Sequence, residues 1–223
     1  MRERHAARQR RRAQEFEAFV AGAAGRLLHT AALLTTEPAR PTEPAEQAGR
    51  LLTAALARTY ADWDRLRGED PYDRTRQDLA THFARTARHR HGSRGGVLSG
   101  LTPQERLVLV LLLYEGVEEE QTAALLGLPV DRVSAICARA VATTHRRTDG
   151  VRRMLEGPHP QVPAGLALRA AERGSRLLRR RRALNRLFTW AMWTAVAVFL
   201  VWAAVNRPWV DPPAGTTPPL DGW

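Results

Sequence analysis

No lysine occurs anywhere in these 223 residues, so every basic residue other than histidine is an arginine. Together with the abundance of alanine, this usage points to a GC-rich coding genome, which bears on origin and not on mechanism. A single cysteine, Cys137, excludes an internal disulfide and is compatible with a reducing compartment. Strand-like alternation is missing, as is any internal repeat, and the periodicity left to read is helical. The motifs of common enzyme chemistry are missing too: there is no phosphate loop, no nucleophile elbow and no dinucleotide fingerprint. His89 and His91 flank Arg90, but no second His or Cys pair stands at metal-site spacing. Asp62, Asp64, Glu69, Asp70 and Asp73 crowd one turn, interleaved with Arg65 and Arg67, which is the pattern of a solvated surface rather than of an acid–base pair. The expectation is a protein that is not an enzyme and uses neither cofactor nor metal.

What is present is positive charge, unevenly held. The formal net charge is +11. Residues 1–12 carry six Arg and one Glu, residues 166–186 carry eight Arg and one Glu, and residues 13–165 balance to zero. The high pI therefore belongs to two flanking blocks, which attract phosphates of lipid or nucleic acid without saying which. The N-terminal block runs straight into mixed sequence with no apolar stretch, so it is not expected to be a secretory signal.

From Leu187 to Val205 there are 19 residues without a charge. As a helix they extend roughly 28 Å, against a hydrocarbon thickness of about 30 Å. Trp190, Trp193 and Trp202 lie toward the ends of this run and Trp209 just beyond it, where indole favours the interface. Arg179, Arg180, Arg181, Arg182 and Arg186 crowd the N-terminal side. The positive-inside bias predicts a single-pass protein of the inner (cytoplasmic) membrane, with residues 1–186 in the cytoplasm and the C-terminus outside. Membrane lipid is the first expected partner.

The balanced part has helical stripes. Phe16, Phe19/Val20, Ala23, Leu27, Ala31 and Leu34 step by three and four, and the prolines of Thr35–Pro44 end that run. A second stripe covers Ala48 to Leu66, and a thinner third one has Tyr72, Leu79, Phe83 and Ala87. His89–Gly100 is a linker by its Gly and Ser content. Thr102, Pro103 and Glu105 then form a capping box at the start of a helix whose buried face has Leu107, Val110, Leu111 and Tyr114. EEEQTAALLGLPVDRVSAICARAVATTHRR follows as helix, tight turn at Gly127-Leu128-Pro129, and helix, with Val130, Val133, Cys137, Ala140 and Val141 as the inward seam. This pattern predicts a helix-turn-helix, with an ordinary helical hairpin in a bundle as the alternative.

EFEAFVAGAAGRLLHTAALLT, LLTAALARTYADWDRL and LTPQERLVLVLLLYEGVEEEQTAALLGLPVDRVSAICARA, in that order, resemble the two characteristic regions of extracytoplasmic-function sigma factors, most closely the actinobacterial branch. The resemblance covers most of residues 13–147. It implies an all-α protein of two small helical domains that binds core RNA polymerase. Region two would open and read the upstream edge of the transcription bubble, and region four would read duplex promoter DNA further upstream. An anti-sigma or envelope-signalling protein is a further expected partner.

The resulting organisation is a basic N-terminal arm (1–12), a region-two-like domain (13–88), a linker (89–100), a region-four-like helix-turn-helix domain (101–147), a second linker (148–165), a basic juxtamembrane segment (166–186), a transmembrane helix (187–205) and an external Pro-rich tail (206–223). Where the family usually has Glu-Asp-Leu-Val-Gln facing the polymerase clamp, this chain has Gly49-Arg50-Leu51-Leu52-Thr53, so Gly49, Arg50, Leu52 and Thr53 are the expected polymerase contacts. Arg50 inverts the charge presented there. The family's Thr-Val-Lys-Ser is matched by Arg132-Val133-Ser134-Ala135, the polar residue after it by Ile136, and a downstream Arg by Arg139. Arg132, Ser134, Ala135, Arg139, Arg146 and Arg147 are the expected DNA contacts. Residues 101–147 carry five Arg against six acids, so this module has little electrostatic pull on DNA.

Overall fold

The computed structural model describes residues 2–37, 45–66, 68–87, 97–145 and 162–206, and among these every regular element is helical. The chain divides into two compact units, Met1–Leu178 and Arg179–Trp223.

The first unit opens with a long helix, α1 (Arg2–Thr35). Phe16, Val20, Ala24, Leu27, Leu28 and Ala31 recur at helical steps and are all buried. The expected basic arm, residues 1–12, is helical over its described part, and that helix begins at Arg2 and runs unbroken into the packed half. Ala, Arg and Gln favour helix, and an extension of an anchored helix needs no nucleus of its own. Thr36, at φ 54°, turns the chain out of α1. Glu37 then caps the next helix, α2 (Glu46–Asp62). Its carboxylate accepts from the N–H groups of Gln47 at 2.9 Å and Ala48 at 2.8 Å, at the positive end of the helix dipole. A 3₁₀ turn, Trp63–Arg65, ends α2, and α3 (Pro71–Ala87) packs back against it. Phe16 meets the rings of Tyr60 and Trp63 edge-on, with centroids at 4.9 and 5.3 Å.

A 3₁₀ turn at Val97–Gly100 leads into α4 (Pro103–Leu109), which widens into a π-helical turn, Val110–Tyr114. The capping box forms as the sequence predicts. The Glu105 N–H donates to the Thr102 hydroxyl at 3.3 Å, and the Glu105 carboxylate accepts from the Thr102 N–H at 3.0 Å. In the wide turn the Glu115 N–H reaches the Val110 carbonyl, five residues back, at 3.0 Å. The extra residue shifts the angular register, and Glu115 faces inward with its side chain fully buried. Helices α5 (Glu119–Leu126) and α6 (Val130–His145) follow, and α7 (Leu166–Asn206) starts inside this unit.

The stretches expected as two domains, 13–88 and 101–147, share one core. Leu101, Leu107, Leu109, Val110, Leu111 and Ala140 belong to the same apolar cluster as Phe16, Leu27, Leu52, Leu56 and Leu79. The expected linker between them is described from Val97 onward, and Leu98 is part of that cluster. Polar contacts cross the same seam. The buried Arg106 guanidinium donates to the carbonyls of Leu34 at 2.7 Å and Leu101 at 3.1 Å, and the rings of His29 and Tyr114 stack at 5.0 Å. Glu115 accepts from the hydroxyls of Thr30 and, at 2.9 Å, Tyr72, with the guanidinium groups of Arg26 at 3.7 Å and Arg76 at 4.0 Å.

The expected juxtamembrane segment, 166–186, is divided. Through Leu178 it belongs to the first unit, where Leu166 and Ala170 join the core and Gly174 abuts α2. A Cβ on Gly174 would lie 2.6 Å from the Ala57 carbonyl oxygen, so the two helices meet there at backbone distance. The arginines that mark this stretch as a solvated collar lie outside the face carrying Leu166, Ala170 and Gly174, a four-residue stripe that is buried.

The second unit holds the rest of α7. Its side chains from Leu187 through Trp202 include Phe188, Trp190, Trp193, Phe199 and Leu200, all exposed. Among the described residues, two helical stretches are long and apolar enough to cross a membrane. Ala6–Thr35 has 61% of its apolar window buried and is a core helix, whereas Leu166–Ala204 has 6% buried. Residues 207–223, with Trp209, lie outside the described residues, as do most of the second linker and most of the tail.

Candidate nucleic-acid interface

Helix α5 ends at Gly127, whose φ of 65° and ψ of 37° are left-handed and suit glycine. The Leu128 N–H returns to the Ala123 carbonyl at 3.0 Å, closing a Schellman cap, and the Pro129 carbonyl accepts from the N–H groups of Arg132 and Val133 at the start of α6. Two helices are thereby held across a three-residue turn. A small apolar cluster of Val108, Ala123, Val133 and Ile136 fixes their crossing, with Leu112, Leu126, Leu128 and Cys137 packed around it. Burial, and then the charge of Glu119, push the Cys137 thiol above its ordinary range, so it stays protonated.

The inward seam differs from the expected one at two positions. Val130 is exposed and Ile136 is 3% exposed, so Ile136 belongs to the hydrophobic contact and is not a lost polar contact on the outer face. The reason is the register of α6, in which Val133, Ile136, Ala140 and Thr144 line the buried side. Asp131, Arg132, Ala135, Ala138, Arg139, Ala142 and Thr143 make up the outer face. Arg132 and Arg139 lie seven residues apart, hence roughly 10 Å along one side of the helix.

The expected contacts are not equivalent in this setting. Arg132 is exposed and pairs with no described carboxylate, and Ala135 is exposed beside it. Ser134 donates its hydroxyl to the Glu119 carboxylate of α5. Arg139, 66% exposed, is paired at 3.0 Å with Glu105, the capping-box residue of α4. Burial works against the charged form of Glu105. The hydrogen bonds from Thr102 and the charge of Arg139 outweigh it and hold that carboxyl below the usual range. Arg146 and Arg147 lie outside the described residues. Glu118, Glu119 and Glu120 are exposed at the start of α5, so this surface mixes acidic and basic groups.

Of the expected polymerase contacts, Arg50 is exposed and lies 3.7 Å from Glu46, one helical turn away. Gly49 is half-buried. Leu52 is fully buried, and Thr53 is buried with its hydroxyl donating to the Gly49 carbonyl at 2.6 Å, so neither presents a side chain outward here. Arg50 and Arg139 both line one cavity of about 960 Å³, with Leu34, Phe83, Glu105 and Arg106 among its walls. The sequence reading missed the acids that engage Ser134 and Arg139. Glu105 and Glu119 stand in the first turns of their helices, where a carboxylate is already accounted for by the N–H groups and dipole of the helix start.

A short helix, a left-handed glycine turn and a second helix with exposed arginines together form a helix-turn-helix. Residues 97–143 match the family model described as sigma-70, region 4, which supports a sigma-factor family and a sigma-factor-like DNA-binding role in transcription initiation. No curated protein and no solved structure matches the chain.

Proposed function

We propose that this chain is a membrane-tethered, sigma-like initiation factor of the extracytoplasmic-function type, not an enzyme, which binds core RNA polymerase and directs it to promoter DNA. The observation that carries the reading is the sigma-70 region 4 match, laid over a helix-turn-helix whose outer face presents Arg132, Ala135 and Arg139. The apolar run Leu187–Val205, exposed from Leu187 through Trp202, supports with its arginine approach the tether, with residues 1–186 cytoplasmic. Anchoring holds the factor at the envelope until a signal acts, through an anti-sigma or envelope-signalling partner or by cleavage within residues 149–165, most of which lie outside the described residues. The test is co-elution of bacterial core polymerase with the full chain in nanodiscs, followed by transcription from a genomic library. The expected result is a stable complex with defined start sites. Absence of core binding rejects the reading.

A second reading is a sigma fold kept as an interaction module without promoter recognition. It is favoured by the engagement of Arg139 with Glu105 and by the acidic start of α5. It forbids footprint protection of any promoter by the reconstituted complex.

A further inference from the structure

The two arginine blocks, at opposite ends of the sequence, are rooted on one residue. The Arg12 guanidinium lies over the Tyr60 ring at 4.4 Å, donates to the Tyr60 carbonyl, and pairs with Asp64 at 3.1 Å. Gly174 rests against the same Tyr60, since a Cβ there would come 2.9 Å from its ring carbon Cδ1 and 3.1 Å from its Cβ. At about 1.5 Å per residue, Arg8 and Arg11 fall within roughly 6 Å of Arg12 along α1, and Arg173 and Arg176 within roughly 3 Å of Gly174 along α7. Asp64 and Glu15 engage Arg12 and Arg11. Arg4, Arg8, Arg10, Arg173 and Arg176 are exposed and have no carboxylate partner among the described residues.

We propose that the N-terminal turns of α1 and the first turns of α7, with Arg173 and Arg176, form one basic surface that docks on the anionic lipid headgroups of the membrane. This rests on the reading of Leu187–Val205 as a span. Duplex DNA carries phosphate as well, but α7 continues from Gly174 through Arg179–Arg182 into the apolar run, which makes lipid phosphate the occupant at hand.

The test uses the full chain with Ala7→Cys in a Cys137→Ala background. The chain carries an environment-sensitive fluorophore and is reconstituted in nanodiscs containing headgroup-quencher lipid, with phosphatidylcholine alone or with phosphatidylglycerol added. The expected result is quenching in the anionic discs that is lost at high salt. The contact equilibrium should fall about fivefold for each of Arg4, Arg8 and Arg10 changed to Gln. Equal quenching in both lipids, or its reversal by duplex DNA at a phosphate concentration below that of the anionic lipid, overturns the proposal while the span stands. A chain that fails to enter the discs overturns the span and this proposal with it.

Discussion

Glu115 is acidic, sits next to a glycine, and follows a run of eight apolar residues, Leu107–Tyr114, yet its side chain is fully buried. Burying a carboxylate is tolerated only when its lone pairs are met, and here two hydroxyls and two guanidinium groups meet them. Burial, and then the charge of Glu115, push the Tyr72 phenol above its ordinary range, so that hydroxyl remains a donor. Glu115→Ala removes the carboxylate that the Thr30 and Tyr72 hydroxyls donate to, while Arg76 keeps its pair with Asp73 at 3.0 Å. We expect a loss of about 1–3 kcal/mol in chemical denaturation, with Glu115→Gln losing less because an acceptor oxygen remains. Equal stability of all three proteins would remove Glu115 from the account of how the halves of the first unit hold together. In the sequence Glu115 was one acid among six in its module, because composition carries no burial and the π turn that rotates the residue inward has no sequence signature.

At the level of elements, legibility followed the local physics. The start of α4 was readable because Thr102, Pro103 and Glu105 act within one turn, and the α5–α6 turn because Gly127 must be left-handed. The seam of α6 was misread at Val130 and Ile136, since either three- or four-residue steps fit so short a helix and only packing against Val108 and Ala123 decides. The docking of α7 was hidden altogether, because arginines outnumber the buried stripe of Leu166, Ala170 and Gly174. That stripe makes a prediction whose sign goes against helix propensity. Gly→Ala inside a helix normally stabilises by about 0.5–1 kcal/mol. Gly22→Ala in α1, where nothing lies within 4 Å of the new Cβ, should show that gain. Gly174→Ala drives its methyl to 2.6 Å from a backbone oxygen that cannot rotate away, so the same substitution should lower the melting temperature. A stabilised Gly174→Ala protein would show that α7 does not pack on α2.

For the whole molecule the question is which arginines speak to DNA. The helix-turn-helix stretch, 101–147, holds five Arg and six acids, while the terminal blocks hold most of the +11. Non-specific affinity depends on counterions released per phosphate neutralised, with a slope near 0.9 per contact in log–log salt plots. The blocks therefore dominate any sequence-independent binding by the isolated chain, and Arg4, Arg8 and Arg10 changed together to Gln should flatten that slope by about 2–3. Arg132 is the opposite case. It stands on the outer face of α6 without a carboxylate partner among the described residues, placed for a base edge or a phosphate. With core polymerase present, Arg132→Ala should weaken promoter protection by about 1–3 kcal/mol while changing the non-specific slope by no more than about 1. Arg139→Ala should cost less at the promoter than Arg132→Ala, because its guanidinium must first leave Glu105. Footprint titrations at several salt concentrations separate the two effects. If Arg132→Ala altered only the salt slope and left relative promoter occupancy unchanged, α6 would be a phosphate contact and not the reader of sequence.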